Sequence, residues 1–273
     1  MARRLHGMVV AITGASAGIG KALAEALASK GAKLALCARR VERLEELNRQ
    51  LGGGHLCIQA DVANPADCER FINATAEHFG RIDALVCNAG YGFVRTTAQT
   101  SHEEMAAIFA TNVFGTTDCI RAAVPIMSKQ EIGDRYRGQI VIISSAAARR
   151  GLPFFGPYSA TKAAQMNLAE ALRVELRPEK IAVTTVAPVG TNTEFFRVAE
   201  GKTGLKRPAT DTKVRQTAET VARKIVRVIE RPKRELWPLR PSRWALNLAA
   251  FFPGITDRAM SYYFRQIDRL NRP

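Results

Sequence analysis

Tyr158 and Lys162 stand four residues apart at the head of an alanine-rich run, in the stretch Tyr158-Ser159-Ala160-Thr161-Lys162. On a helix, residues at i and i+4 lie one above the other, so a phenol and an ammonium so spaced can serve one ligand. A tyrosine hydroxyl titrates near about 10, and a cation within roughly 4–6 Å lowers that by about 1–3 units, into the range useful for acid/base work near neutral pH. The pair is therefore expected to move protons. An ordinary helix with a packed Tyr and a solvated Lys shows the same spacing, so the elements around it decide.

The first of those elements is a short apolar strand, Val9-Val10-Ala11-Ile12, followed by Thr13-Gly14-Ala15-Ser16-Ala17-Gly18-Ile19-Gly20 and a helical pattern from Lys21 to Ser29. Strand, glycine-rich turn and helix set bare backbone N–H groups and a helix N-terminus against a pyrophosphate. The glycines are spaced G-x-x-x-G-x-G, unlike the G-x-G-x-x-G of many dinucleotide dehydrogenases. A second strand, Lys33 to Ala38, runs into Arg39-Arg40, where NAD-type proteins present an acidic residue to the ribose 2′-hydroxyl. Two arginines without a carboxylate favour a 2′-phosphate. Each charge-assisted hydrogen bond contributes roughly 1.5–3 kcal/mol, so NADP(H) is expected over NAD(H). The plainer reading is that Arg39 and Arg40 end the loop before a charged helix, Val41 to Leu51.

The alternation continues. His55 to Ala60 reads as a third strand leading to Asp61-Val62, where Asp61 can accept from an adenine amine or cap the loop. A helix follows from Pro65 to Phe79. Asp83 to Cys87 is a fourth strand ending in Asn88-Ala89-Gly90, suited to close cofactor approach. One long helix, about His102 to Met127, carries Asn112, a polar group in an apolar neighbourhood that needs partners if buried. Gln139 to Ile143 is a fifth, β-branched strand ending in Ser144-Ser145, and a Gly-, Pro- and Phe-rich loop from Arg149 to Pro157 precedes Tyr158. Ile181 to Ala187 is a sixth. This order calls for an α/β fold: one doubly wound parallel sheet, Rossmann-like, in three α/β/α layers, with its site along the carboxyl edge of the strands.

Composition narrows the class. The chain of 273 residues with 47% hydrophobic content suits one large domain. Five scattered cysteines without a Cys-x-x-Cys pair, and four dispersed histidines, imply a reducing compartment and no metal. The apolar run from Met8 to Ile12 is shorter than the roughly 7–15 residues of an export signal, and nothing approaches the 18 or so apolar residues of a membrane span. The formal charge of +15 attracts phosphorylated ligands, acidic lipid or nucleic acid without choosing among them.

Taken together, Thr13 to Gly20, Asp61, Asn88-Ala89-Gly90, Asn112, Ser145, and Tyr158 with Lys162 resemble the short-chain dehydrogenase/reductase family over roughly residues 7 to 195. The resemblance implies that Gly14, Ser16, Ala17, Gly18, Ile19 and Gly20 cradle the dinucleotide, with Asp61, Val62, Asn88, Ala89 and Gly90 beside it. It makes Ser145 and Tyr158 donors to a substrate carbonyl, with Ser144 as the neighbouring alternative. Lys162 would bind the nicotinamide ribose and lower the Tyr158 pKa, and Asn112 would steady a water relaying protons to Lys162. After the sixth strand the family has Pro-Gly and a threonine that meets the nicotinamide carboxamide. Here Pro188-Val189-Gly190 displaces the glycine, and Thr193 keeps the family spacing better than Thr191. The basic residue of some NADP-dependent members is replaced by Ala17, so the NADP expectation rests mainly on Arg39 and secondarily on Arg40.

The same resemblance makes residues 194 to 211 a flap over the substrate. Phe93, Ala147, Leu152, Phe154, Phe155, Val189, Phe195 and Phe196 would line an apolar mouth for a hydrophobic ketone, aldehyde, steroid-like or acyl substrate. Residues 1–241 are read as the catalytic domain. Beyond them, 242–273 form a helical extension, Ser242 to Phe252 and about Asp257 to Leu270. In its second helix Met260, Tyr263, Phe264, Ile267 and Leu270 form one stripe, and Arg258, Arg265, Arg269 and Arg272 lie largely elsewhere. That helix suits packing on its own domain or a partner, and weak contact with a membrane surface as an alternative. No reader motif points to nucleic acid. The expectation is a cytoplasmic, homodimeric or homotetrameric NADP(H)-dependent carbonyl/alcohol oxidoreductase. The competing readings are a non-catalytic NADP(H)-binding regulator and a membrane-surface scaffold.

Overall fold

The computed structural model describes residues 2–133, 135–206 and 216–271. Strands β1 (Val9–Thr13), β2 (Lys33–Ala38), β3 (Leu56–Gln59), β4 (Ala84–Cys87), β5 (Gly138–Ile143) and β6 (Ile181–Val186) alternate with helices α1 (Gly18–Ala28), α2 (Val41–Gln50), α3 (Pro65–Phe79), α4 (His102–Phe109), α5 (Gly115–Lys129) and α6 (Gly156–Glu175). Next come β7 (Thr191–Asn192), α7 (Phe195–Gly201), β8 (Gln216–Thr217), α8 (Ala218–Glu230), β9 (Glu235–Leu236), α9 (Arg240–Phe251) and α10 (Pro253–Leu270).

Seven strands form one parallel sheet in the order β3-β2-β1-β4-β5-β6-β9, and β7 pairs with β8 separately. β1 and β5 are buried along their whole length, as a sheet covered on both faces requires. Alternation decides which side each residue serves. Val10 and Ile12 of β1 pack with Leu23, Leu27 and the α8 face Val221–Ile225–Ile229, whereas Ala11 between them packs with Phe71, Ile72 and Ile120. The chain order reverses between β1 and β4, and that switch point places the turn after β1 beside the end of β4.

One element differs from expectation. The continuous helix from His102 is interrupted: α4 begins in a Ser101/Glu104 capping box, and Ala110–Phe114 widen into a π-helical turn before α5. Asn112 sits in this turn, fully buried. The widened turn accommodates its amide while Gly115 lies so close to Val62 that a Cβ would stand 2.5 Å from the Val62 carbonyl oxygen.

Glycine is needed at the first turn of α1 for the same reason. A Cβ on Gly20 would stand 2.5 Å from the Gly14 carbonyl oxygen and 2.6 Å from the Asn88 amide nitrogen. Gly20→Ala is accordingly expected to destabilise the native state by about 1–3 kcal/mol, read as a lower urea midpoint with unchanged slope. An unchanged midpoint would show that the turn yields freely.

Candidate active site

The ends of β1 and β4 are joined by polar contacts. The Thr13 hydroxyl accepts from the backbone N–H groups of Asn88 and Ala89, both at 3.0 Å. The Asn88 amide donates to the carbonyls of Thr13 at 2.9 Å and Gly14 at 3.1 Å. Asn88 therefore braces the glycine turn with its side chain. Gly14 and Gly18 take left-handed φ angles of 65° and 58°, and a Cβ on Gly14 would stand 2.8 Å from the Ala89 Cα. Ala17 precedes α1 without a side-chain cap, and the first turn of α1 holds no acidic residue. Its leading N–H groups are thus left for an anionic ligand, which fits a dinucleotide pyrophosphate.

Arginines gather beside this turn. Arg40 donates to the Ser16 hydroxyl at 3.4 Å, and both Arg40 and Arg43 pair with Glu194, at 3.4 and 3.2 Å. Arg43 was not among the expected residues, although it follows Arg39 and Arg40 by one helical turn on α2. A cleft of about 490 Å³ runs along Ser16, Ala17, Gly18, Lys21, Arg43 and Glu194. Burial pushes the Tyr91 phenol up, and the Arg39 charge draws it down against Asp61 and Glu104. Asp61 also accepts from the Ala63 N–H at 3.1 Å, the loop-capping role weighed above. Val62 is buried against Gly115.

Beyond β6, the Pro188 carbonyl accepts from the Ala146 N–H at 2.9 Å, tying that segment to the serine turn. Thr191 folds back onto the Val189 carbonyl at 2.9 Å and enters β7. Thr193 instead packs on the glycine turn, its methyl 3.2 Å from where a Gly18 Cβ would lie. Gly190 is exposed, and Ile19 packs on the core.

The two serines after β5 separate. Ser144 donates to the Lys162 carbonyl at 2.8 Å and is buried, whereas Ser145 accepts from the Ala147 N–H at 3.1 Å and lies near enough to the Tyr158 phenol to draw its pKa down. The Lys162 ammonium lies 5.7 Å from the Tyr158 ring centre and donates to the Ile143 carbonyl and to Gln165 Oε1, each at 2.9 Å. Gln165 passes this link on, donating to the Asn112 carbonyl at 2.6 Å and the Thr116 hydroxyl at 2.9 Å. The Asn112 side chain is engaged too, accepting from the Tyr91 N–H and donating to the Tyr91 carbonyl and the Thr161 hydroxyl. The Gln165 amide therefore links Lys162 to the Asn112 carbonyl. Gln165 escaped the sequence reading although it lies one turn past Lys162 on the same helix.

The titration expectation is also corrected. Burial pushes the Tyr158 hydroxyl up to about 12 against the opposing pull of Ser145, and burial brings Lys162 down from 10.5 to about 7. Taking both groups out of water disfavours each charged form, and a lysine that loses its charge cannot hold the phenol down.

An apolar mouth surrounds the pair. Phe154, Phe155, Val94, Ala199 and Ile267 are buried together, with Leu152, Tyr158, Phe195, Phe196 and Tyr263 packed against them. The Phe195 ring centre is 5.1 Å from that of Tyr158, so α7 covers the phenol. Phe93, Ala147 and Val189 are not members of this cluster, whereas Ile267 and Tyr263 of α10 are unexpected ones. Of the expected flap, 207–211 lie outside the described residues.

Lys162 also makes stability depend on pH. Between about pH 7 and 10.5 the unfolded chain holds the proton that the folded chain has lost, so native stability grows as pH rises through that window and falls as pH drops toward 7. Replacing Lys162→Met removes the term. Relative to the parent, the variant is expected to gain more stability at about pH 6 than at about pH 9.5 in urea titrations. A pH-independent difference would contradict the lowered pKa.

Known proteins match this arrangement. A family model described as short chain dehydrogenase matches residues 8–203. The Arabidopsis thaliana 11-beta-hydroxysteroid dehydrogenase-like 3 is 36% identical over 94% of this chain and 81% of its own length, and the uncharacterized oxidoreductase YxnA of Bacillus subtilis is 31% identical over 99% and 77%. Among solved structures, a short chain dehydrogenase/reductase from Burkholderia phymatum in complex with NAD superposes with a TM-score of 0.80 at 25% identity, covering 93% of this chain and 96% of that one. The alcohol dehydrogenase from the archaeon Thermococcus sibiricus, complexed with 5-hydroxy-NADP, gives 0.72 at 28% identity over 85% and 96%. With the family match extending from β1 through α7 and the superposition covering 93% of the chain, the chain belongs to the short-chain dehydrogenase/reductase family of oxidoreductases.

Proposed function

We propose that the protein is an NADP(H)-dependent oxidoreductase that interconverts a carbonyl and a secondary alcohol on a largely apolar substrate. The observation that carries this reading is Tyr158 on α6 with the Lys162 ammonium 5.7 Å from its ring centre, Ser145 near enough to draw the phenol's pKa down, and the cluster of Phe154, Phe155 and Phe195 around them. NADP(H), when bound, supplies or removes the hydride at the substrate carbon.

The chain's own residues do the rest. Negative charge grows on the substrate oxygen as a carbonyl is reduced, and the Tyr158 hydroxyl gives its proton there while Ser145 donates a second hydrogen bond. In the reverse direction Tyr158 takes the alcohol proton. A phenol held near about 12 keeps its proton at neutral pH and so begins in the form needed for reduction. Lys162 stands 3.4 Å from where a Gly90 Cβ would lie, so the bare glycine leaves it room to approach a ribose. Gly14, Gly18 and the α1 N-terminus would hold the pyrophosphate, Thr193 the nicotinamide end, and Arg40 with Arg39 the 2′-phosphate. The aromatic mouth favours a hydrophobic ketone, aldehyde or steroid-like molecule, in keeping with the hydroxysteroid-dehydrogenase name of the plant relative.

Phe114 and Val174, 58% and 74% exposed beside α5 and on α6, support a homodimer or homotetramer that covers them. Five free cysteines support a reducing, cytoplasmic setting.

Tyr158→Phe is expected to lower the rate of NADPH-dependent ketone reduction by about 10²-fold or more while the NADPH Kd changes by less than about twofold. Equal loss of both would refute the assigned role. Arg39→Ala and Arg40→Ala should each weaken NADPH by about tenfold relative to NADH in fluorescence titrations. An unchanged ratio would remove the phosphate assignment from the residue tested.

A further inference from the structure

Exposed apolar side chains are concentrated in one place. Of the twelve large hydrophobic residues exposed among the described residues, eight lie between Trp244 and Leu270. They belong to the hairpin of α9 and α10, whose tip is Phe251-Phe252-Pro253. On α9 the exposed Trp244, Leu248 and Phe251 recur at helical spacing, while Leu246 turns inward beside Met166 and Trp237. On α10 the exposed Ile255 and Tyr262 share one face, and Ile267 with Tyr263 packs on the apolar mouth.

The hairpin is held in place rather than loosely attached. The Thr256 hydroxyl hydrogen-bonds the Ala249 carbonyl across the tip at 3.0 Å, Asp257 pairs with Arg150, and Asn271 exchanges hydrogen bonds with the Lys206 backbone. Its inner face is spent on the domain, so the outward apolar stripe needs another partner.

Charge selects that partner. From 240 to 271 the chain carries five arginines, Arg240, Arg243, Arg258, Arg265 and Arg269, against two aspartates. A second copy meeting this face across a two-fold axis would set arginine against arginine on chains of formal charge +15. An acidic lipid surface pairs with the arginines and takes the Trp, Tyr and Phe rings at headgroup depth. No helix among the described residues is long and apolar enough to cross a bilayer, which leaves the interfacial position.

We propose that the outward face of the α9–α10 hairpin, Trp244, Leu248, Phe251, Phe252, Ile255 and Tyr262 with the flanking arginines, docks the protein on the surface of an anionic lipid bilayer. Because Phe264 of α10 stacks on Phe154 at 5.2 Å, docking sets the bilayer beside the apolar mouth at Tyr158.

The test is flotation of the full chain with vesicles of phosphatidylcholine alone and of phosphatidylcholine with roughly a third phosphatidylserine. Partition is expected to be at least about tenfold stronger on the acidic vesicles and to fall as salt is raised. The double change Phe251→Ser and Phe252→Ser, and separately Arg258→Glu with Arg265→Glu, should each reduce it by about tenfold or more. These side chains are exposed, and circular dichroism checks that the variants stay folded. Absence of flotation, or flotation that neither double change reduces, overturns the proposal. So does sedimentation showing that the phenylalanine changes dissolve an oligomer, which would assign the face to a second copy.

Discussion

The site depends on an ammonium with almost no access to water. Lys162 is only 4% exposed, and an amine so placed must either shed its charge or find carbonyl partners. It does both: burial brings it to about 7, and the Ile143 carbonyl and Gln165 amide receive its N–H groups. The Gln165 bridge reaches the Asn112 carbonyl in the π-helical turn, so the terms on which Lys162 is held are set by a helix distortion fifty residues earlier in the chain. In the sequence, the glutamine reads as one more residue of an amphipathic helix. In the fold it ties Lys162 of α6 to Asn112 and Thr116 at the junction of α4 and α5.

A second constraint lies at the switch point. Thr13 and Asn88 satisfy each other's backbone groups across the ends of β1 and β4, and the three glycines Gly14, Gly18 and Gly20 stand where a Cβ would strike neighbouring atoms or force a left-handed backbone. Both features leave the leading N–H groups of α1 uncovered. The bracing is local, whereas the arginines near Ser16 arrive from α2 and meet Glu194 from the far side of the sheet. Charges at that edge are already paired, so a ligand phosphate there would compete with Glu194 for Arg40 and Arg43.

The C-terminal hairpin joins two jobs in one element. Its inner face closes the mouth around Tyr158 through Ile267 and Tyr263, and its outer face carries the largest share of the exposed apolar side chains. An amphipathic stripe alone could not say which face would be covered by the domain.

Much was legible beforehand. β2 and α3 begin and end where periodicity and Pro65 place them, because short buried strands and a capped helix carry local signals. The glycine turn, the strand ends and the Tyr158–Lys162 spacing were equally readable, since each is a local pattern on one element. What required the tertiary structure were relations between elements: which of Ser144 and Ser145 meets the phenol, whether Thr191 or Thr193 faces Gly18, and that Asn112 sits in a π turn linked to Lys162 through Gln165. The direction of the Tyr158 shift was misjudged from spacing for the same reason. Spacing along a helix reports proximity, but desolvation depends on everything packed around the two groups, and only the assembled fold supplies that.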